Sequence, residues 1–110
     1  MPSRPKIVCV CGSTKFWKEF QKQNINGTLV GNIVLSIAPF ENHDDVTFGH
    51  LSAGERQELT DKLNALHKHK IDLADEILIT NISGYMGEST RRELEYAKSK
   101  QKIIRFLEPI

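Results

Sequence analysis

Glu76-Ile77-Leu78-Ile79-Thr80-Asn81, followed almost at once by Gly84-Tyr85-Met86-Gly87-Glu88-Ser89-Thr90-Arg91-Arg92-Glu93-Leu94-Glu95-Tyr96-Ala97, is the stretch whose reading decides the fold. The first run is short, apolar and β-branched, as a buried strand requires. The second is a glycine-bearing loop that runs into an amphipathic helix. In an open α/β sheet such a strand-loop-helix junction lies at the carboxyl edge of the strands, where ligands bind and a helix N-terminus offers unpaired N–H groups to anions. With the helix starting near Ser89 or Thr90, the residues Thr90, Leu94, Ala97 and Gln101 form its sheet-facing side, and Glu93 sits on the flank one turn in. A carboxylate there can look into the crevice. Thr90-Arg91-Arg92-Glu93 also has the spacing of a capping box, in which Glu93 would only satisfy a backbone N–H.

Upstream, Lys6-Ile7-Val8-Cys9-Val10 reads as a first buried strand, ended by the turn Cys11-Gly12-Ser13-Thr14; Met1 to Pro5 before it is a short lead-in expected to fray. The turn combines backbone N–H groups, the hydroxyls of Ser13 and Thr14, a helix N-terminus and the charge of Lys15, which together make a phosphate cradle. Ser13 or Thr14 would serve equally as an ordinary N-cap, and from the turn alone the cap is the preferred reading. A helix from about Lys15 turns Phe16, Trp17 and Phe20 toward the core, and Asn26-Gly27 casts doubt on its later part. Gly31 ends the crossover, and Asn32 to Ile37 forms the second strand.

Ala38 to Ala53 has no clear period and is long for a connection. Its His43, Asp44, Asp45 and His50 lack metal-ligand spacing, so a solvated loop without metal is expected. Leu59, Leu63, Leu66 and Leu73 recur at helical spacing between about Gly54 and Ala74. His67 and His69, near the end of that helix, cannot share a helix face, and each suits a helix C-terminus as a cation. Lys102-Ile103-Ile104-Arg105-Phe106-Leu107 is the last strand. The pattern βαβαβαβ with right-handed crossovers implies a single-domain α/β protein over residues 1–110: a flavodoxin-like, Rossmann-like parallel sheet of order 2-1-3-4 with helices on both faces. That order sets Gly12-Ser13 beside Gly87-Ser89 across the switch point.

Bulk properties narrow the function. The chain has 110 residues, 39% of them hydrophobic, enough for one core. So small a core leaves a face or edge to be covered by another copy, and a homodimer or higher homo-oligomer is expected. A net charge of +1 with both signs interspersed gives no basic stripe for duplex nucleic acid. No run is long or apolar enough for a membrane span or signal peptide, so a soluble, cytoplasmic protein is expected. Cys9 and Cys11 share one face of the first strand and are expected to be buried free thiols.

Two motifs resemble one family. Cys11-Gly12-Ser13-Thr14-Lys15 is similar to the Cys-Gly-Ser-x-Arg turn of 2′-deoxynucleoside 5′-phosphate N-hydrolases. Ala74-Asp75, followed by a strand, a glycine loop and Glu93-Leu94-x-x-Ala97, resembles the nucleoside 2-deoxyribosyltransferase superfamily, and the similarity spans nearly the whole chain. The resemblance implies a nucleoside or nucleotide substrate, no cofactor, and Glu93 attacking C1′ of the deoxyribose to expel the base. A carboxylate suits that role, because it can form a glycosyl intermediate through an oxocarbenium-like transition state. The resemblance gives Gly12, Ser13 and Lys15 the 5′-phosphate, with lysine supplying charge but not arginine's bidentate fork. Gly87 and Ser89 complete those contacts. His67 stands where relatives carry an aspartate that contacts the sugar and helps protonate the base, a role histidine can fill as a general acid. Relatives continue beyond the final strand with a strand or tail that enters a neighbouring site; here Tyr85, or the loop around His43 to His50, would cover the base by stacking. Hydrolysis is the first expectation, base exchange the second, and a nucleotide-binding module without turnover the third.

Overall fold

The computed structural model describes residues 4–36 and 51–109. The end of the expected second strand at Ile37 and the loop carrying His43, Asp44, Asp45 and His50 lie outside the described residues.

Four strands, β1 (Ile7–Cys11), β2 (Ile33–Leu35), β3 (Glu76–Ile79) and β4 (Ile103–Phe106), form one parallel sheet in the order β2-β1-β3-β4. Val8 pairs with Val34 on one side and with Glu76 on the other, and Glu76 in turn pairs with Ile103. The sheet separates two cores. Helix α1 (Trp17–Leu29) brings Phe20 onto Val8, Val10 and Leu78. On the opposite face, α2 (Ala53–Leu73) and α3 (Glu88–Ser99) bring Ile71, Leu94 and Ala97 onto Cys9, Cys11, Ile77 and Ile79. The α/β fold, the strand order and the helices on both faces are those expected. Among the described residues, no helix is long and apolar enough to cross a membrane.

Several boundaries differ from expectation, each for a local reason. Helix α1 begins after a 3-10 turn at Thr14–Phe16 and runs straight through Asn26-Gly27. A side chain at position 27 would approach Val34 Cγ2 to 2.6 Å, so glycine stands there to let helix and strand pack closely, not to turn the chain. The helix stops at Gly31 (φ 92°), where Gly31 N–H donates to Thr28 O and Asn32 N–H to Gly27 O, a Schellman closure. Helix α3 ends the same way. Gln101 adopts φ 59° and Lys102 N–H donates to Ala97 O, which removes Gln101 from the sheet-facing row where it was expected. Thr90, Leu94 and Ala97 do face the sheet.

Helix α2 starts at Ala53, within one residue of the expected Gly54, on a capping box between Ser52 and Glu55. Its leucine stripe is not core: Leu63, Leu66 and Leu73 are 38%, 48% and 63% exposed, and burial is confined to His67 and Ile71. At about 1.5 Å per residue a helix of 21 residues greatly outreaches strands of three to five residues, so only its last turns meet the sheet. Arg4 is not frayed. Its guanidinium grips Asp75 at 2.6 and 3.0 Å, and Asp75 also accepts from Ile7 N–H at 2.9 Å. That bond explains the Ala74-Asp75 step locally, as a pin for the start of β1.

Candidate active site

Strand β1 alternates, so Cys9 and Cys11 both point under α2 and α3, and both are fully buried. The penultimate turn of α2 lowers His67 onto them, and the second turn of α3 brings Glu93 to the same point. His67 Nε2 lies 3.2 Å from Cys11 Sγ, 3.9 Å from Cys9 Sγ and 3.8 Å from Glu93 Oε1. One imidazole nitrogen thus faces two sulfurs and a carboxylate. The other, Nδ1, is buried with no hydrogen-bond partner among the described residues.

Glu93 does not cap its helix. The N-cap of α3 is Gly87, which has no side-chain cap bond, and the capping-box alternative fails because Thr90 is already inside the helix and buried against the sheet. The Glu93 side chain keeps 17% exposure. Burial pushes its carboxyl above the usual glutamate range, while the charge of His67 pulls the other way. Burial likewise drags His67 down, but the Cys9 hydrogen bond and the Glu93 charge outweigh it and leave the imidazole raised. Of the two thiols Cys9 is the more acidic, lowered to about 6 by the hydrogen bond from Cys11. Cys11 is pushed well above its ordinary value by donating that bond and by burial.

The turn after β1 and the loop after β3 meet at the same edge of the sheet. Lys15 Nζ sits 3.5 Å from the centroid of the Tyr85 ring, and Phe16 meets that ring edge-on at 5.9 Å. A side chain at Gly87 would stand 3.2 Å from the Tyr85 hydroxyl. Tyr85 therefore joins three positions singled out from sequence: Lys15, itself and Gly87. Cys11, the residue directly before Gly12, links this mouth to the buried His67–Glu93 pair.

The remaining expected residues have definite local roles. Ser13 caps the 3-10 turn by accepting from Lys15 N–H at 3.3 Å, so the preferred capping reading holds. Thr14 is exposed. Gly12 has a steric reason to be glycine: a Cβ there would fall 1.8 Å from Thr80 Oγ1, and the Thr80 hydroxyl donates to Cys11 O at 3.2 Å. Ser89 is exposed in the first turn of α3 and accepts from Arg92. His67 is not a surface cation at a helix end but a buried member of the cluster, whereas His69 is exposed.

Sequence reasoning placed Cys9 and Cys11 on one face but did not connect them to His67 or Glu93. Their alternation on the central strand was the available signal; which helices cover that face was not. It also missed a clamp on the loop that carries Tyr85. Asn81, fully buried, donates to Glu108 O at 2.9 Å and accepts from Glu108 N–H at 2.8 Å, and the Glu108 carboxylate receives Ser83 N–H at 2.9 Å. Those bonds hold Ser83 at φ 54°, where a non-glycine residue is strained.

No protein-family model matches the chain, and no curated protein or solved structure matches it significantly. The deoxyribosyltransferase resemblance thus rests on the sequence motifs alone.

Proposed function

We propose that the chain is an N-glycosidase that cleaves the base–sugar bond of deoxynucleoside 5′-monophosphates, with Glu93 as nucleophile. The observation that carries this reading is the setting of Glu93: not spent on capping its helix, mostly buried, and beside His67 and Cys11, the residue that leads into the turn after β1. In the reaction a Glu93 oxygen bonds C1′ as the glycosidic bond breaks, and the departing base takes a proton from solvent, which regains one when water attacks. Water then attacks C1′, and the sugar phosphate leaves with Glu93 restored. His67 is buried behind the carboxylate, so it acts through Glu93 as a charge partner and not as the acid that meets the base. Lys15 and the N–H groups at the start of α3 attract the 5′-phosphate, the lysine leaving the Tyr85 face to do so. Tyr85, 43% exposed, then has a ring face free to stack on the base.

Incubation with a panel of deoxynucleosides, ribonucleosides and their 5′-monophosphates, with free base followed by chromatography, tests the proposal. Base release from deoxynucleoside monophosphates is expected, lost by on the order of 10⁴-fold in Glu93→Gln. Release that is unchanged in that variant sinks the role given to Glu93. The same reading takes the protein as a soluble cytoplasmic homo-oligomer, supported by the leucines exposed along α2. Sedimentation as a monomer at micromolar concentration would count against the oligomer.

A further inference from the structure

Two thiols and an imidazole are an unusual lining for a core layer. Cys9, Cys11 and His67 are all buried, and their ligand atoms lie within 4.8 Å of one another. Their neighbours in that layer, Ile71, Ala74, Ile77, Ile79, Leu94 and Ala97, offer no polar partner in their side chains. A buried imidazole with one nitrogen unpaired and the other turned on two sulfurs is costly as plain packing.

The spacing matches a tetrahedral soft-metal site. With zinc–sulfur bonds of about 2.3 Å and zinc–nitrogen bonds of about 2.0–2.1 Å, sulfur and nitrogen stand about 3.6 Å apart around one ion. The two observed separations, 3.2 and 3.9 Å, straddle that value. Glu93 Oε1 lies 3.8 Å from the same nitrogen, within roughly 0.5 Å of the edge that a fourth, oxygen ligand would span. The donors are also held in place before any ion arrives, since both sulfurs hang from a strand paired on each side and the imidazole from a packed helix end.

We propose that Cys9, Cys11 and His67 bind a zinc-class ion with Glu93 as fourth donor, and that the ion holds the enzyme off by occupying the carboxylate the reaction needs. Paired thiolates favour zinc over calcium or magnesium. Binding would release the protons that the thiols carry. The inhibitory half rests on Glu93 being the nucleophile; the binding half does not.

The test titrates the reduced, chelator-treated full chain with Co²⁺, then displaces it with Zn²⁺. One equivalent of Co²⁺ is expected to give a thiolate-to-cobalt charge-transfer band and the intense visible bands of a tetrahedral site, both erased by one equivalent of Zn²⁺. The spectrum of the unmodified chain decides thiolate ligation by itself, whatever core substitutions do to folding. In folded variants, Cys9→Ser and Cys11→Ser lose the band, and His67→Asn weakens zinc by more than about 100-fold, beyond the range for a lost outer-shell partner. A spectrum without the band, or binding that survives both serine substitutions, overturns the site. Where base release is observed, stoichiometric Zn²⁺ should lower it more than tenfold, with recovery on chelation; full activity in zinc-saturated protein overturns the inhibitory half. A chain that binds zinc through its thiols but releases no base from any nucleotide leaves the site standing, while the glycosidase reading and the inhibition fall together.

Discussion

Strand β1 divides two chemistries between the faces of one sheet. Val8 and Val10 go to the α1 side, where Phe20 and Leu78 complete an apolar layer; Cys9 and Cys11 go to the other, where His67 and Glu93 crowd in. Both layers are closely buried, but only the first is built wholly from groups that gain by leaving water; the second sets polar groups among Ile71, Ile77, Ile79 and Leu94. The second holds titratable groups whose burial opposes their charge. The first face therefore only stabilises the fold, whereas the second offsets part of what its own apolar residues contribute, in order to hold reactive groups in place.

Substitutions sharpen that contrast, ranked by their expected effect on stability. Phe20→Ala, in the apolar layer, removes the largest fully buried side chain among the described residues and should cost about 3–5 kcal/mol in denaturant unfolding. A loss below about 1 kcal/mol would mean that the α1 face contributes little to stability. Gly12→Ala, at the edge between the layers, forces a methyl onto Thr80 Oγ1 and should cost about 1–3 kcal/mol. Adding Thr80→Ala removes the obstructing oxygen, so the double variant should be more stable than the two single losses added together; strict additivity would show that the clash relaxes elsewhere.

Glu93→Gln should run the other way, raising stability by about 0.5–1 kcal/mol near neutral pH while abolishing base release. The sign follows from the raised carboxyl. A group that holds its proton more tightly when folded contributes fully below its unfolded value, and that contribution is lost as pH rises through the folded one. Melting curves of Glu93→Gln and the unmodified chain should thus separate as pH increases; curves that converge would contradict a desolvated carboxylate. For the same reason the acid limb of base release, measured with chelator present, should lie above the range of an ordinary glutamate. His67→Asn should move it higher still by removing the opposing charge.

The smallest effect belongs to neither layer. Arg4→Gln breaks an exposed pair and should shift the melting temperature less than any change above. Asp75 is held below its usual range by the Arg4 hydrogen bond and by Ile7 N–H, so its contribution is present above the unfolded value and is lost as pH falls through the folded one. The small difference between Arg4→Gln and the unmodified chain should therefore fade in strong acid, which melting curves at low pH would check.

Much of the fold was legible because strands and crossovers announce themselves in local pattern. Apolar β-branched runs at Ile7, Ile33, Ile77 and Ile103, spaced by helical segments, admit few topologies once crossovers are right-handed. Local pattern misled where packing had the final word: Gly27 read as a turn and is a contact with Val34, while the leucine spacing of α2 announced the helix but not how far Leu63, Leu66 and Leu73 stand exposed. The candidate site was legible in part. Glu93, Lys15, Tyr85 and Gly87 could be placed at one edge of the sheet from order alone, whereas Cys9 and Cys11 could not be assigned to Glu93 until α2 and α3 were known to share a face.

The linear chain alone determined the parallel sheet, its order and the edge at which its loops gather, because alternation, helical period and glycine position are properties of neighbours along the backbone. Tertiary structure alone decided that His67, Cys9, Cys11 and Glu93 converge on one point and that Glu93 turns away from its own helix end. Those four side chains come from β1, α2 and α3, and their separations depend on how two helices settle across a twisted sheet, which no local spacing encodes.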